Sequence, residues 1–443
     1  MRQKVFFTLM MVVVLSLLAI PLTAQDAIEL RITWYNDGNE GEVLRDLLDR
    51  YQADNPNITV VVDTIPYADL DTTLQPQVET GNGPDMARVT DVARYKPYYL
   101  DMRPYMTDAD AWEANWPSAI INWMQKDADD TGLYGFMTNA TVTGPFINRT
   151  LFEQAGVAVP SDEKAEVSWD EWVTAAKQVA EALSTPDNKI YAVSIDRSGH
   201  RVWGPALSNG ATFAQFDEDG NPVMDDNGDV VYTVDSPGFR ETAQMIVDWH
   251  TEGITPAEVW VGAGGSYASG RDFFVNGQLV LFMSGSWQIG AFATNIGDAF
   301  DWEAIPNPCG AGGCTGMPGG AALMAFSETE YPEEVTALME YLSSDEILTE
   351  FASRTLFPNY DVRLSEHGVD FQTDLPAAKS SLETFAAEIP HISAEAWVLQ
   401  TAKNSFALNT GIRERLTQVI TGELTLDDAI ARIQEEVDEA SAQ

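Results

Sequence analysis

The stretch Ile28-Glu-Leu-Arg-Ile-Thr-Trp34, followed by Tyr35-Asn-Asp-Gly-Asn-Glu-Gly41, decides the fold class. Its first half alternates apolar and polar residues as a half-buried strand does, and its second half is made of turn formers. From 42 to 55 the apolar residues Val43, Leu44, Leu47, Leu48 and Tyr51 recur at helical spacing; Pro56 closes the run, and 58–65 is rich in β-branched residues. Strand, loop, helix and strand in that order predict a layered α/β domain.

The same reading extends along the chain. A helix is expected over 69–80, interrupted by Pro76, before the turn Gly81-Asn-Gly-Pro-Asp85 and a short apolar strand at 86–89. Ser168 stands as an N-cap before an amphipathic helix at 169–183. Helix is expected at 237–250, strand at 273–283, a glycine-rich break at 309–320, and helix at 332–351 split near Ser344. The C-terminal part reads as helical at 394–409 and from 426 onward. The acidic turns at 217–223 and 225–229 read as a hairpin excursion, because neither has the spaced ligands and closing glutamate of a calcium loop. No repeat and no separable linker occurs, so two domains threaded through one another are expected.

The first residues bear on location. Arg2 and Lys4 precede an apolar run over 5–22, and Leu22-Thr23-Ala24 puts a small residue at a cleavage position. Residues 1–24 therefore read as a signal peptide, with the mature protein in the periplasm or outside the cell. A retained membrane anchor is the alternative; a lipid anchor is not supported, because no cysteine follows the run. The mature chain exceeds the size at which one core usually keeps growing. Its two cysteines, Cys309 and Cys314, are expected to close a small structural disulfide loop in an oxidising compartment rather than hold a metal.

The chain carries 68 acidic and 25 basic residues, a net charge of −43. Nucleic acid is excluded as a partner, since phosphate binding needs clustered lysine and arginine. An acidic solvated surface suits a salty habitat, where screening weakens self-repulsion.

No catalytic constellation stands out. Ser284-Gly-Ser286-Trp287 lacks the five-residue nucleophile-elbow pattern, His200 and His250 sit in unrelated contexts, and neither a P-loop nor a dinucleotide fingerprint occurs. No enzyme, metal or cofactor is expected. The chain does hold 12 Trp and 14 Tyr, several beside glycine, asparagine or aspartate, as in Trp34-Tyr-Asn-Asp37, Trp203-Gly-Pro205 and Gly285-Ser-Trp287. A sugar ring offers an apolar face on which an indole can stack and a rim of hydroxyls for Asp, Asn and Thr. Each such Trp taken singly is equally at home in a core.

These segments resemble family 1 extracellular solute-binding proteins, the group that contains the maltose- and oligosaccharide-binding proteins. The resemblance rests on Leu30-Arg-Ile-Thr-Trp-Tyr-Asn-Asp37, Glu79-Thr-Gly-Asn-Gly-Pro-Asp-Met86, Leu133-Tyr-Gly-Phe136 and Phe146-Ile-Asn-Arg-Thr-Leu-Phe-Glu-Gln-Ala-Gly156. Ser168-Trp-Asp-Glu-Trp172 and Phe274-Val-Asn-Gly-Gln-Leu-Val-Leu-Phe-Met-Ser-Gly-Ser-Trp287 follow in order, then Gly319-Gly320. The resemblance implies an α/β, two-lobed periplasmic-binding-protein fold of class II type, with a hinge and a ligand cleft between the lobes. Lobe one is expected at 26–137 plus 326–355 and lobe two at 138–325 plus 356–443.

It also implies a monomer that captures a mono- or oligosaccharide and delivers it to the permease subunits of an ABC importer. By matching position, Trp287, Trp203 and Trp397 would be stacking platforms. Asn36 and Asp37 would lie in the first binding loop, and Asp91 would bond sugar hydroxyls. Asn139 and Thr141 would sit at the crossover, where a carboxylate is frequent in the family, and His200 would stack or donate. Asp85, Gly319 and Gly320 would be structural. A glycerol phosphate would call for Arg201 and Arg271, and a polyamine for Asp37 with Asp91. A secreted carbohydrate-active enzyme and an adhesive surface protein are the readings from other classes.

Overall fold

The structure is a computed structural model and describes residues 27–442 except 128 and 227; the expected signal peptide lies outside the described residues. Among the described residues no helix is long and apolar enough to cross a membrane.

The opening reads as expected. β1 (Ile28–Trp34) leads through the loop to a helix at Glu40–Asp54, which buries Val43, Leu44, Leu47, Leu48 and Tyr51, and then to β2 (Ile58–Thr64). Burying that stripe is what holds the helix against the sheet, at roughly 25 cal/mol per Å² of apolar surface removed from water. β1 pairs in parallel with β2 on one side and with β3 (Met86–Val89) on the other. The remaining strands are β4 (Gly135–Asn148), β5 (Tyr191–Ile195), β6 (Leu279–Gly285), β7 (Trp302–Ala304) and β8 (Pro318–Ala325). Their order is β2-β1-β3-β8-β4-β6-β5, with β7 also on β4.

β4 makes this arrangement two-bodied. All of its 14 residues are buried. From Gly135 to Val142 it pairs antiparallel with β8, which itself pairs with β3. From Thr143 to Ile147 it pairs antiparallel with β6. One strand thus belongs to both sheets. A third segment crosses beside it: the Ala140 N–H donates to the Pro358 carbonyl at 2.8 Å, and the Asn359 amide donates to the Met137 carbonyl at 3.0 Å. Just before that segment Leu356 takes the left-handed conformation (φ 60°) and ends the helix Asp345–Thr355.

The buried apolar residues form separate cores. The first joins β1–β3 and the start of β4 to β8, the helices Pro332–Leu342 and Asp345–Thr355, and Leu364. The second joins β5, β6 and the helix Trp169–Leu183 to the C-terminal helices Ser405–Ile420 and Leu426–Ser441. A third, smaller cluster packs Phe146, Phe274, Phe282, Phe292 and Trp302 against Phe385.

The helix at 332–351 is split at Ser344, and Ser168 with Glu171 forms a full capping box. Three expectations need correction. Residues 273–283 are not one strand: Ser269 caps a short helix at Gly270–Val275, Gly277 turns the chain at φ 69°, and only then does β6 begin. The glycine-rich break is shorter than 309–320, because Pro318, Gly319 and Gly320 already belong to β8. The helix over 394–409 is two helices, Ala394–Thr401 and Ser405–Ile420.

At the crossing, a Cβ on Gly320 (φ +155°) would lie 2.3 Å from the Asn139 carbonyl oxygen, inside the β4–β8 ladder. A Cβ on Gly319 would meet the Thr141 hydroxyl at 2.9 Å, and that group can rotate away. Gly320→Ala is therefore expected to destabilise by roughly 2–4 kcal/mol and Gly319→Ala by about 1 kcal/mol or less. Urea unfolding of the two variants checks the ranking, and equal losses would contradict it.

Candidate ligand site between the two cores

Where β4 and β8 cross, a cavity of about 140 Å³ opens between the two bodies. One wall comes from the ends of β1 and β3 and the loops after β1, β2 and β3: Tyr35, Asp37, Tyr67, Arg88, Thr90 and Asp91. The opposite wall comes from the start of the helix Gly199–Ser208 (Ser198, His200, Arg201, Trp203), from Trp287 after β6, and from Gln400, Ser405, Phe406 and Asn409. Asn139, Thr141, Gly319 and Gly320 make the floor.

The first wall is organised by Arg88. Its side chain is fully buried, lies 4.2 Å from the Tyr35 ring centroid, and donates to the Tyr35 carbonyl at 2.8 Å. It pairs with Asp37 at 3.2 Å and with the buried Glu40 at 3.4 Å. Glu40 in turn accepts the backbone N–H groups of Asp37 (3.1 Å) and Gly38 (2.6 Å). A buried guanidinium needs such carboxylates, and satisfying it fixes the loop in which Asp37 sits. Burial pushes Asp37 up despite Arg88 beside it. Asp91 accepts the Arg94 N–H at 3.3 Å; burial and the negative charge of Asp71 push it up to about 6.

On the opposite wall, His200 Nε2 lies 3.0 Å from Gln400 Oε1, and its ring meets Trp203 edge-on at 5.7 Å. Burial, with Arg201 adjacent, pushes His200 down to about 4, so its imidazole is neutral at neutral pH. The loop closed by the Cys309–Cys314 disulfide supports this helix from behind, the Gly312 N–H donating to the Ser208 carbonyl at 2.7 Å. Outside the cavity lining, the Arg271 guanidinium donates to the Asp37 carbonyl at 3.1 Å.

The structure brings together Asp37, Asp91, Asn139, Thr141, His200, Trp203, Trp287, Gly319 and Gly320. Their use by the chain varies. Trp203 is 2% exposed and serves as wall rather than open platform. Asn139 spends its oxygen on the Ala321 N–H at 2.7 Å. Two expected residues lie outside. Asn36 is exposed and turned back: its Oδ1 accepts the Trp34 indole N–H at 3.0 Å, and its amide packs on Gly41. Trp397 lines a wider groove on the far side of Phe406, while Gln400, one turn later on the same helix, reaches the cavity. Asp85 braces the first body by accepting the Arg31 N–H at 2.7 Å and the Thr329 hydroxyl.

Sequence reasoning missed Arg88, Tyr67, Gln400, Phe406 and Asn409. They reach the cavity from separate segments, and no local pattern marks them. Arg88 stands in a four-residue strand whose other members are all apolar, and that isolated charge was the one available signal.

Two α/β bodies that share crossing strands, with a cavity at the crossing, define the two-lobed binding-protein fold. The chain belongs to the bacterial extracellular solute-binding protein family, whose profile matches residues 35–348. That family assigns it to solute binding outside the cytoplasm. A protein described as a putative binding protein in Brucella abortus is 23% identical over 417 residues, covering 90% of this chain and 92% of that one. An ABC substrate-binding protein of Listeria monocytogenes solved with cycloalternan superposes with a TM-score of 0.73 at 17% identity, covering 94% of this chain and 100% of that chain. A solute-binding protein of Thermotoga lettingae solved with α-D-tagatose gives 0.73 at 18%, again covering 94% and 100%. A maltose-bound protein of T. maritima gives 0.70 at 19%, with the same coverage.

An aspartate raised in the folded state binds more protons there than when unfolded, so its contribution to stability falls as pH rises from about 4 through about 6. Asp91→Asn is therefore expected to melt roughly 1–3 °C above the parent at pH 7 without ligand, with the gain closing toward pH 4. Melting curves at the two pH values check this; a gain independent of pH would contradict the assignment to Asp91 ionisation.

Proposed function

We propose that this chain captures a carbohydrate in the interlobe cavity and presents it, as a monomer, to the permease subunits of an ABC importer, after export with removal of residues 1–24. The observation that carries the reading is the pairing of surfaces in one cavity. Aromatic side chains (Tyr35, Tyr67, Trp287) stand beside hydroxyl-bonding groups (Asp91, Asn139, Thr141, Gln400, Asn409), which is the chemistry a sugar presents. Saccharides also occupy the three superposable proteins described above.

The lobes are taken as 26–137 with 326–355, and 138–325 with 356–443. The composition of the cores supports this division, although β8 is shared and Leu364 packs with the first body. Closure of two bodies around a ligand gives the permease a shape that the empty protein lacks.

Binding is favoured over glycoside cleavage by the state of the carboxylates. Hydrolysis in most families needs two carboxyl groups flanking the scissile bond. Here Asp37 is held by Arg88, which leaves Asp91 as the carboxylate of the cavity lining without an ion-pair partner among the described residues.

A thermal-shift panel of sugars, polyols, polyamines and glycerol phosphates, run in moderate and high salt, tests the reading. A ligand that binds only the folded state must raise the midpoint. At least one saccharide is expected to do so, with an affinity roughly tenfold or more lower in Trp287→Ala. Stabilisation by a charged non-sugar alone would replace the substrate class, and consumption of a glycan would replace the function.

A further inference from the structure

Most arginines of this acid-rich chain have a carboxylate within ion-pair distance: Arg88, Arg149, Arg197, Arg240, Arg354 and Arg363 all do. Arg201, in the wall of the cavity, is placed differently. Among the described residues no carboxylate lies within 4.0 Å of it; its one polar contact is Ser198 Oγ, 3.3 Å from Nη1, and its buried Nε has no partner. The carboxylates nearest in electrostatic effect are already used, Asp37 by Arg88 and Asp196 by the Gly270 N–H at 3.0 Å.

The guanidinium of Arg201 lies over the Trp287 ring, 4.6 Å from its centroid. The same indole packs against Gly285, where a Cβ would come within 2.1 Å of the ring. Trp287 thus acts as the bed for Arg201 while it also lines the cavity. A guanidinium stacked by its face keeps its N–H groups in the plane, arranged as a fork that matches a carboxylate.

Resting on the carbohydrate reading above, we propose that the captured saccharide is acidic and that Arg201, laid on Trp287, binds its carboxylate, as in a uronic acid. The hydroxyl rim then faces Asp91, which lines the same cavity from the opposite wall. The other charged ligands fit less well. A phosphate calls for a second guanidinium, but Arg271 is turned to the Asp37 carbonyl and Arg88 is enclosed. A polyamine would be repelled by Arg201.

Calorimetric titration of D-glucuronate, D-galacturonate, D-mannuronate and their short oligomers, each against its neutral hexose counterpart, tests the proposal. One uronate is expected to bind at least about tenfold more tightly than its neutral counterpart. Its affinity should fall roughly a hundredfold in Arg201→Met, which keeps the aliphatic stem over Trp287, and about tenfold in Arg201→Lys, which keeps the charge without the fork. Circular dichroism and melting confirm that each variant is folded, and Arg201→Lys carries the test should Arg201→Met not fold. A neutral sugar that binds as tightly as its uronate, or uronate binding that survives both variants, overturns the proposal and leaves the carbohydrate reading standing. If no saccharide of either kind binds while spermidine or glycerol 3-phosphate does, both fall.

Discussion

The antiparallel pairing of β4 with β8 is the constraint on which the remaining structure depends. β4 is buried along its whole length and divides its hydrogen bonds between two sheets. The two bodies therefore cannot separate, only bend about the crossing. The cavity opens at that crossing, floored by Asn139, Thr141, Gly319 and Gly320. The glycine at 320 is a steric necessity, since a side chain there would run into the Asn139 carbonyl of the facing strand. The floor is backbone-rich, and chemical selectivity has to come from the walls.

The walls solve an electrostatic problem in a chain with nearly three acidic residues for each basic one. A cavity with several carboxylates and no cations would repel anything but a cation. Arg88 pairs with both Asp37 and Glu40 inside the first body and offsets part of their charge, and His200 stays neutral through burial. What remains open to a ligand is one carboxylate, one guanidinium, amides and hydroxyls. This is a polarised surface rather than a uniformly negative one.

Much of this was legible in the sequence, for identifiable reasons. The helix at Glu40–Asp54 and the capped helix at Trp169–Leu183 carry amphipathic periodicity and local stop signals, so they were read nearly to the residue. Phe273-Phe274-Val275 was read as strand because a short apolar run has no periodicity to separate helix from strand. The site divides along a similar line. Trp287 ends a motif segment and Asp91 follows one closely, and both line the cavity. Arg88 and Gln400 act through distant partners, and a linear pattern cannot display a cation whose role is to pair with two acids elsewhere. Even Trp287 was found for an incomplete reason: its place in the cavity was visible, but the guanidinium lying on it was not.

The shared strands also govern how the chain can acquire its structure. The first core needs β8 and Leu364 in addition to its N-terminal strands, and the second needs Val437. Neither is assembled from one contiguous stretch. A growing chain therefore holds its apolar strands without a finished partner surface until most of it has been made, the circumstance in which nascent proteins associate wrongly. Mutual repulsion between chains bearing a net charge of −43 opposes that association throughout synthesis. The acidic composition thus guards the interval before folding as well as serving the folded surface.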